Sequence, residues 1–118
     1  KCSFTLPVEK IDLSVIPPVC KKCKSILKPD FVFYGEGIQK NVFDKSFEET
    51  SKADVMIIIG TTGEVYPATL LPNEASKSGC KIIEINTIPS NYTSSITDVF
   101  LQGKAGEILP VLNRIIFQ

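Results

Sequence analysis

The sequence predicts an α/β protein: half of a doubly wound parallel sheet, preceded by part of a small cysteine-bearing module. Three observations carry this expectation. The run Asp54-Val-Met-Ile-Ile-Ile-Gly60 is almost wholly apolar, as suits a parallel strand buried on both faces. A second β-branched run, Lys81-Ile-Ile-Glu-Ile-Asn86, follows after a stretch of helical character, so strand and helix alternate. Upstream, Cys20-Lys-Lys-Cys23 forms a C-x2-C pair in a segment, Ser3 to Val19, too polar to build a core of its own.

Each element has a local reason. Asp30 to Tyr34 is short, aromatic and β-branched, which predicts a strand. Asn41 to Ala53 carries Val42, Phe43, Phe47 and Ala53 near helical spacing and reads as an amphipathic helix. After the central strand, Tyr66-Pro67 is expected to open a helix that ends near Ser78-Gly79, with the proline in its first turn. Lys81 to Asn86 is the next strand, 87–97 a loop of Pro, Ser, Asn and Thr, and Val99-Phe-Leu101 a brief final strand. From Gly103 a helix places Ile108, Leu112, Ile115 and Ile116 on one stripe, and Pro110 must lie within its first turns or kink it. Right-handed crossovers between such elements build a parallel sheet.

Composition bounds the function. The chain has 118 residues, enough for one compact domain and too few for two ordinary ones. With 13 basic and 13 acidic residues the net charge is zero, so no nucleic-acid-binding surface is expected. The longest apolar run, Val55 to Ile59, is too short to span a membrane, and no charged-then-apolar signal opens the chain. A cytoplasmic, membrane-free protein is expected. There is no histidine, so the side chain most used for acid-base work near neutral pH is absent and no catalytic residue is assigned.

The cysteines are Cys2, Cys20, Cys23 and Cys80. Cys2 is separated from the pair by 17 intervening residues, and knuckles of a zinc ribbon are separated by roughly 15–20 residues. Cys2 stands where the second cysteine of a first knuckle would be, with its partner two residues before Lys1. A redox pair or simple core cysteines are the other readings. A redox C-x-x-C should open a helix directly after a strand, whereas Pro17-Pro18 and a lysine-rich turn surround this one. Such a zinc would be structural, because four thiolates leave no position for a water nucleophile. Cys80 begins an apolar strand and reads as a small buried side chain.

In a doubly wound sheet, ligands lie beyond the carboxyl ends of the strands. That selects Tyr34-Gly-Glu36, Gly60-Thr-Thr62, Asn86-Thr-Ile88 and Gly103-Lys-Ala105. Gly60-Thr-Thr-Gly63 offers two hydroxyls between glycines, suited to ribose or phosphate oxygens and equally to a capped turn. Asn86 could bond a sugar hydroxyl or its own turn. No G-x-G-x-x-G is present.

Taken together, C-x2-C followed by "LKPDFVFYGEG", "IIIGTTGEVYPA", "IIEIN" and "FLQGKAGEILP" resembles the sirtuins, NAD-dependent protein lysine deacylases. The resemblance runs from Cys2 to about Leu112 and is closest to bacterial and archaeal members and the group that includes desuccinylases. It implies a partial zinc-ribbon module over 1–27 and the C-terminal part of a Rossmann-like NAD-binding domain over 28–118. Cys2, Cys20 and Cys23 would be three of four zinc ligands. Gly60, Thr61 and Thr62 would line the NAD site, with Thr62 where the family usually has serine. Asn86, Thr87 and Ile88 would hold the adenosine ribose, and Lys104 and Ala105 would lie against adenine.

The resemblance also implies an acyl-lysine protein or peptide as partner, added as a strand. Backbone near Val32, Gly35 and Glu36 would face it on one side and Glu64 and Val65 on the other, a β-augmentation that demands little of the peptide's sequence. Phe33 and Tyr34 would wall the acyl-lysine channel, with tyrosine where phenylalanine is usual. The family's catalytic histidine, glycine-rich phosphate loop and nicotinamide-holding Asn-Asp pair would all lie upstream. The complete enzyme would transfer the acyl group to ADP-ribose and release nicotinamide. Two other readings share the strand-end crevice: a non-catalytic zinc-ribbon nucleotide-binding regulatory module, and a small oxidoreductase using NAD as hydride carrier.

Overall fold

The structure, a computed structural model, describes residues 2–118; Lys1, the first residue of the expected cysteine module, lies outside them. The chain divides into two compact units, Lys1–Ile38 and Gln39–Gln118.

The second unit carries the sheet. Helix α1 (Lys40–Lys52) has Phe43 and Phe47 one turn apart with ring centroids at 4.9 Å. On its wet side, Lys40–Asp44 and Glu48–Lys52 pair across single turns. Strand β1 (Val55–Ile59) pairs in parallel with β2 (Lys81–Asn86), and β2 with β3 (Val99–Gln102), in the order β1-β2-β3. Helix α2 (Leu70–Lys77) packs on β1 and β2, and α1 packs on α2. Helix α3 (Ala105–Ile116) packs on β2. The core gathers Ile58, Ala75, Cys80, Ile82 and Tyr92, with Met56, Ala53 and Ile96 at its margin. Burying a side chain such as Ile82, fully inaccessible here, contributes about 1.5–3 kcal/mol.

Local chemistry sets the boundaries. Helix α2 ends in a Schellman motif: Cys80 N–H donates to Ala75 O (3.0 Å) and Gly79 N–H to Ser76 O (3.0 Å). Gly79 holds φ +86°, which a residue without Cβ adopts at little cost. Cys80 is buried, as its place at the head of an apolar strand predicts. Pro110 is the sixth residue of α3, and the helix continues through it without the N–H that would have bonded Gly106 O.

Three expectations differ from the structure. Asp30–Tyr34 is not a strand: in the first unit the β-bridge among the described residues is Val19 with Ile26. The reason is local, because Phe31 N–H bonds Pro29 O (2.8 Å) and Glu36 N–H bonds Phe33 O (2.9 Å), bending the segment back on itself. The helix does not open at Tyr66-Pro67. Residues 65–69 form turns, with Thr69 N–H on Val65 O, and α2 starts at Leu70. Pro72 is the proline that belongs to the helix start, at a position whose N–H has no intrahelical partner. Strand β1 is covered on one face only. Met56 and Ile58 point to the core, whereas Val55, Ile57 and Ile59 are 52%, 49% and 45% exposed.

Candidate functional site

The carboxyl ends of the three strands form one hydrogen-bonded rim. The ladder continues past the strands: Gly60 N–H donates to Ile85 O (3.0 Å) and Gly103 N–H to Asn86 O (2.9 Å). Asn86 then ties the first two loops together. Its Nδ2 donates to Thr61 O (2.9 Å), and its Oδ1 accepts from Thr87 N–H (2.9 Å). Gln102 Nε2 reaches Thr87 O (3.2 Å). Gly60, Thr61, Thr62, Asn86, Thr87 and Gly103 are thereby brought to one edge. Thr61 Oγ1 accepts from Gly63 N–H (3.2 Å), whereas the exposed Thr62 hydroxyl meets a solvent-facing carboxylate oxygen, Glu64 Oε2 (3.2 Å). Ile88 is 62% exposed and Lys104 exposed, while Ala105 opens α3 half-buried. Asn86 keeps one N–H and one lone pair for a ligand.

The 87–97 loop, read from sequence as a polar connection, proves to be the other wall. Asn91 N–H donates to Thr62 O (3.0 Å). Tyr92, 4% exposed, lays its ring against Gly63 and donates its hydroxyl to Thr69 Oγ1 (2.8 Å), which donates to Gly63 O (2.9 Å). Beneath it, Glu84 is fully buried and accepts from Thr93 and Thr97 (2.8 and 2.9 Å). Burial raises its pKa, and the hydroxyls of Ser90, Thr93 and Thr97 outweigh that and hold it below the ordinary value. Neither Tyr92, Thr69 nor Glu84 was singled out from sequence. The available signals were an acid inside an apolar strand and a lone aromatic in a polar loop.

In the first unit, Cys20 N–H bonds Ser25 O (2.8 Å) and Lys24 N–H bonds Cys20 O (2.9 Å), closing the knuckle turn with Lys24 at φ 60°. Among the described residues no helix opens at the pair, so the arrangement is unlike a redox C-x-x-C. The three thiols are free, with Cys2 Sγ 3.8 Å from Cys20 Sγ and 3.4 Å from Cys23 Sγ. Tetrahedral zinc with Zn–S near 2.3 Å requires S···S edges of about 3.8 Å, so this donor set fits the metal. The Ser25 backbone N–H and hydroxyl, with the Cys2 thiol, bring Cys23 down to about 6, toward the thiolate a metal needs.

The Lys28–Gly37 stretch is held by a hook. Glu36 Oε2 accepts from Lys28 Nζ and from Phe33 N–H (3.0 Å), and Lys28 Nζ also bonds Phe31 O (2.7 Å). Lys28 and the Phe33 N–H hold the Glu36 carboxyl below its usual range. Among the described residues, the backbone groups of Val32, Tyr34 and Gly35 make no hydrogen bond, whereas Phe33 and Glu36 bond each other. Phe33 is 46% and Tyr34 93% exposed. In the second unit the Glu64 backbone is likewise unbonded, and Val65 gives its carbonyl to Thr69 N–H.

Among the described residues, no helix is long and apolar enough to cross a membrane. The Sir2 family model matches residues 1–67. The NAD-dependent protein deacylase of Pyrococcus furiosus is 46% identical over 116 residues, covering 94% of this chain and 46% of that protein. NAD-dependent protein deacylase 2 of Pyrobaculum aerophilum is 41% identical over 112 residues, covering 95% and 44%. The chain thus spans less than half the length of these curated relatives. Among solved structures, a Sir2 homolog–NAD complex superposes with a TM-score of 0.78 at 41% identity, over 84% of this chain and 38% of that one. A complex of Sir2 with p53 peptide and NAD+ gives 0.74 at 26% identity, over 83% and 40%.

Proposed function

Since the chain belongs to the Sir2 family, we propose that it supplies the nucleotide and peptide walls of an NAD-dependent protein lysine deacylase. The observation that carries this is the rim in which Asn86 clamps the Thr61-Thr62 turn, in a chain whose relatives are NAD-dependent deacylases and whose structural neighbours hold NAD. In that reading Gly60, Thr61 and Thr62 line the cofactor site. Asn86, Thr87 and Ile88 hold the adenosine ribose, and Lys104 and Ala105 flank adenine. NAD, when bound, would supply the ribose that accepts the acyl group on one of its oxygens, with nicotinamide leaving and the lysine amine set free.

This chain's own contribution is positioning, which removes the entropy of bringing the reacting groups together. In the first unit, the unbonded backbone of Val32, Tyr34 and Gly35 suits main-chain pairing with an acyl-lysine peptide. Phe33 and Tyr34 offer exposed aromatic surface to its acyl-lysine. A zinc on Cys2, Cys20 and Cys23 would act structurally, tying the first unit's loops. Neither a nucleic acid nor a membrane is needed by this reading, and it fits a cytoplasmic enzyme. The general base lies outside this chain, which contains no histidine.

The test is incubation of the full-length protein with NAD and acetylated or succinylated lysine peptides. Stoichiometric nicotinamide release and loss of the acyl group are expected. An absence of acyl loss, or reversible NADH formation, overturns the reading in favour of a regulatory module or an oxidoreductase.

A further inference from the structure

Glu84 sits in the middle of β2, between Ile58 of β1 and Phe100 of β3, and is fully buried. A carboxylate in such a place is unfavourable unless it is hydrogen-bonded, and an apolar residue would fill the core as well. A carboxylate accepts only, so both threonine hydroxyls must donate to its Oε2. The direction of those bonds has a consequence for Thr93, whose oxygen is left to accept from Ser90 N–H (2.8 Å). Ser90 Oγ in turn accepts from Tyr92 N–H (3.1 Å). Residues 90–97 are therefore wound around one buried charge.

The same loop touches the nucleotide rim at two points, Asn91 N–H on Thr62 O and the Tyr92 ring on Gly63. Side chains alternate along a strand, so Glu84 lies on the same face as Asn86, one step behind it. We propose that Glu84 is a positioning residue for the cofactor crevice: by gripping Thr93 and Thr97 it fixes the 90–97 loop, and the loop fixes the Thr61-Thr62-Gly63 turn. This rests on reading that turn as part of the NAD site.

The test measures NAD dissociation constants and steady-state kinetics of full-length variants, at a temperature where circular dichroism shows each folded. Glu84→Gln keeps the shape but leaves either a buried amide N–H unpaired or the threonines without their acceptor. It should weaken NAD binding about tenfold. The change should fall on KM for NAD, with kcat and the peptide KM held within about threefold. Thr93→Val should weaken NAD in the same direction, and Thr93→Ser should restore it to within about twofold, because the hydroxyl and not the methyl is used. Thr93→Val carries the test if Glu84→Gln does not fold. A role confined to stability would lower the melting temperature and leave NAD affinity of the folded protein unchanged in every variant; that result overturns the proposal. Thr62→Val separates the two levels. If it weakens NAD while the Glu84 and Thr93 variants do not, the positioning role alone is wrong. If none of the variants alters NAD affinity, the location of the site is wrong and the positioning role falls with it.

Discussion

Substituting Gly63 by alanine tests the contact between the rim turn and the 87–97 loop. Gly63 holds φ +77°, and an added Cβ would lie 2.8 Å from Tyr92 Cε2, 2.9 Å from Cζ and 3.2 Å from Cδ2. The left-handed conformation costs an L-residue about 1–2 kcal/mol. The ring cannot swing away freely, since it is 4% exposed and its hydroxyl is held by Thr69, so overpacking adds about 1–3 kcal/mol. The sum, about 2–5 kcal/mol, is a large part of the about 5–15 kcal/mol that holds a typical protein. Gly79→Ala is the control: its φ is +86°, but nothing lies within 4 Å of its Cβ, so only the conformational cost of about 1–2 kcal/mol applies. Urea unfolding of the full-length variants, with Tyr92→Leu alone and combined with Gly63→Ala, gives the coupling directly. Equal losses for the two glycine variants, or additive effects of Gly63→Ala and Tyr92→Leu, would refute the contact as described.

Two further outcomes are expected. The full-length protein should carry about one zinc per chain, and Cys20→Ser should abolish it; as structural zinc contributes roughly 10–16 kcal/mol of apparent binding energy, chelation should expose the amides of the cysteine unit to hydrogen exchange, and a protein that keeps them protected without metal would contradict the assignment. The folded pKa of Glu84 lies below the ordinary 4.5, so its ionisation favours the native state. That stability is complete above about 4.5 and lost as the pH falls through the lower folded value. The urea midpoint should therefore drop in acid and drop less for Glu84→Gln, and parallel curves would count against it.

The parts of the fold legible in the sequence were those with a strong local pattern. Strand β2 was read as Lys81–Asn86, the bounds observed, because a β-branched run between Gly79 and a polar loop has one reading. Helix α1 differs by one residue at each end. The failures share a cause. Asp30–Tyr34 has strand composition, but strand formation needs a partner ladder, and Glu36 instead folds back on Phe33 and Lys28. At the start of α2, local turns from Thr69 N–H to Val65 O and from Leu70 N–H to Pro67 O keep Pro67 outside the helix, and Pro72 lies in its first turn instead.

For the candidate site, the rim residues were legible because the rule for parallel sheets points to strand ends whatever the sequence there. What lay beyond reach was the support. The contacts of Tyr92 with Gly63 and Thr69, and of Glu84 with Thr93 and Thr97, join residues far apart in the chain, and no periodicity marks them. These contacts also explain a division of labour. In the proposed reading this turn presents hydroxyls to a ligand, which suits a Thr62 side chain that is exposed while its carbonyl is held by Asn91 and its neighbour's by Asn86. The backbone is fixed from behind, and the Thr62 side chain faces solvent in front with its hydroxyl on Glu64 Oε2. Rigidity at the rim therefore comes from the loop and the buried charge beneath it, and a polar residue inside an apolar strand is the trace this leaves in the sequence.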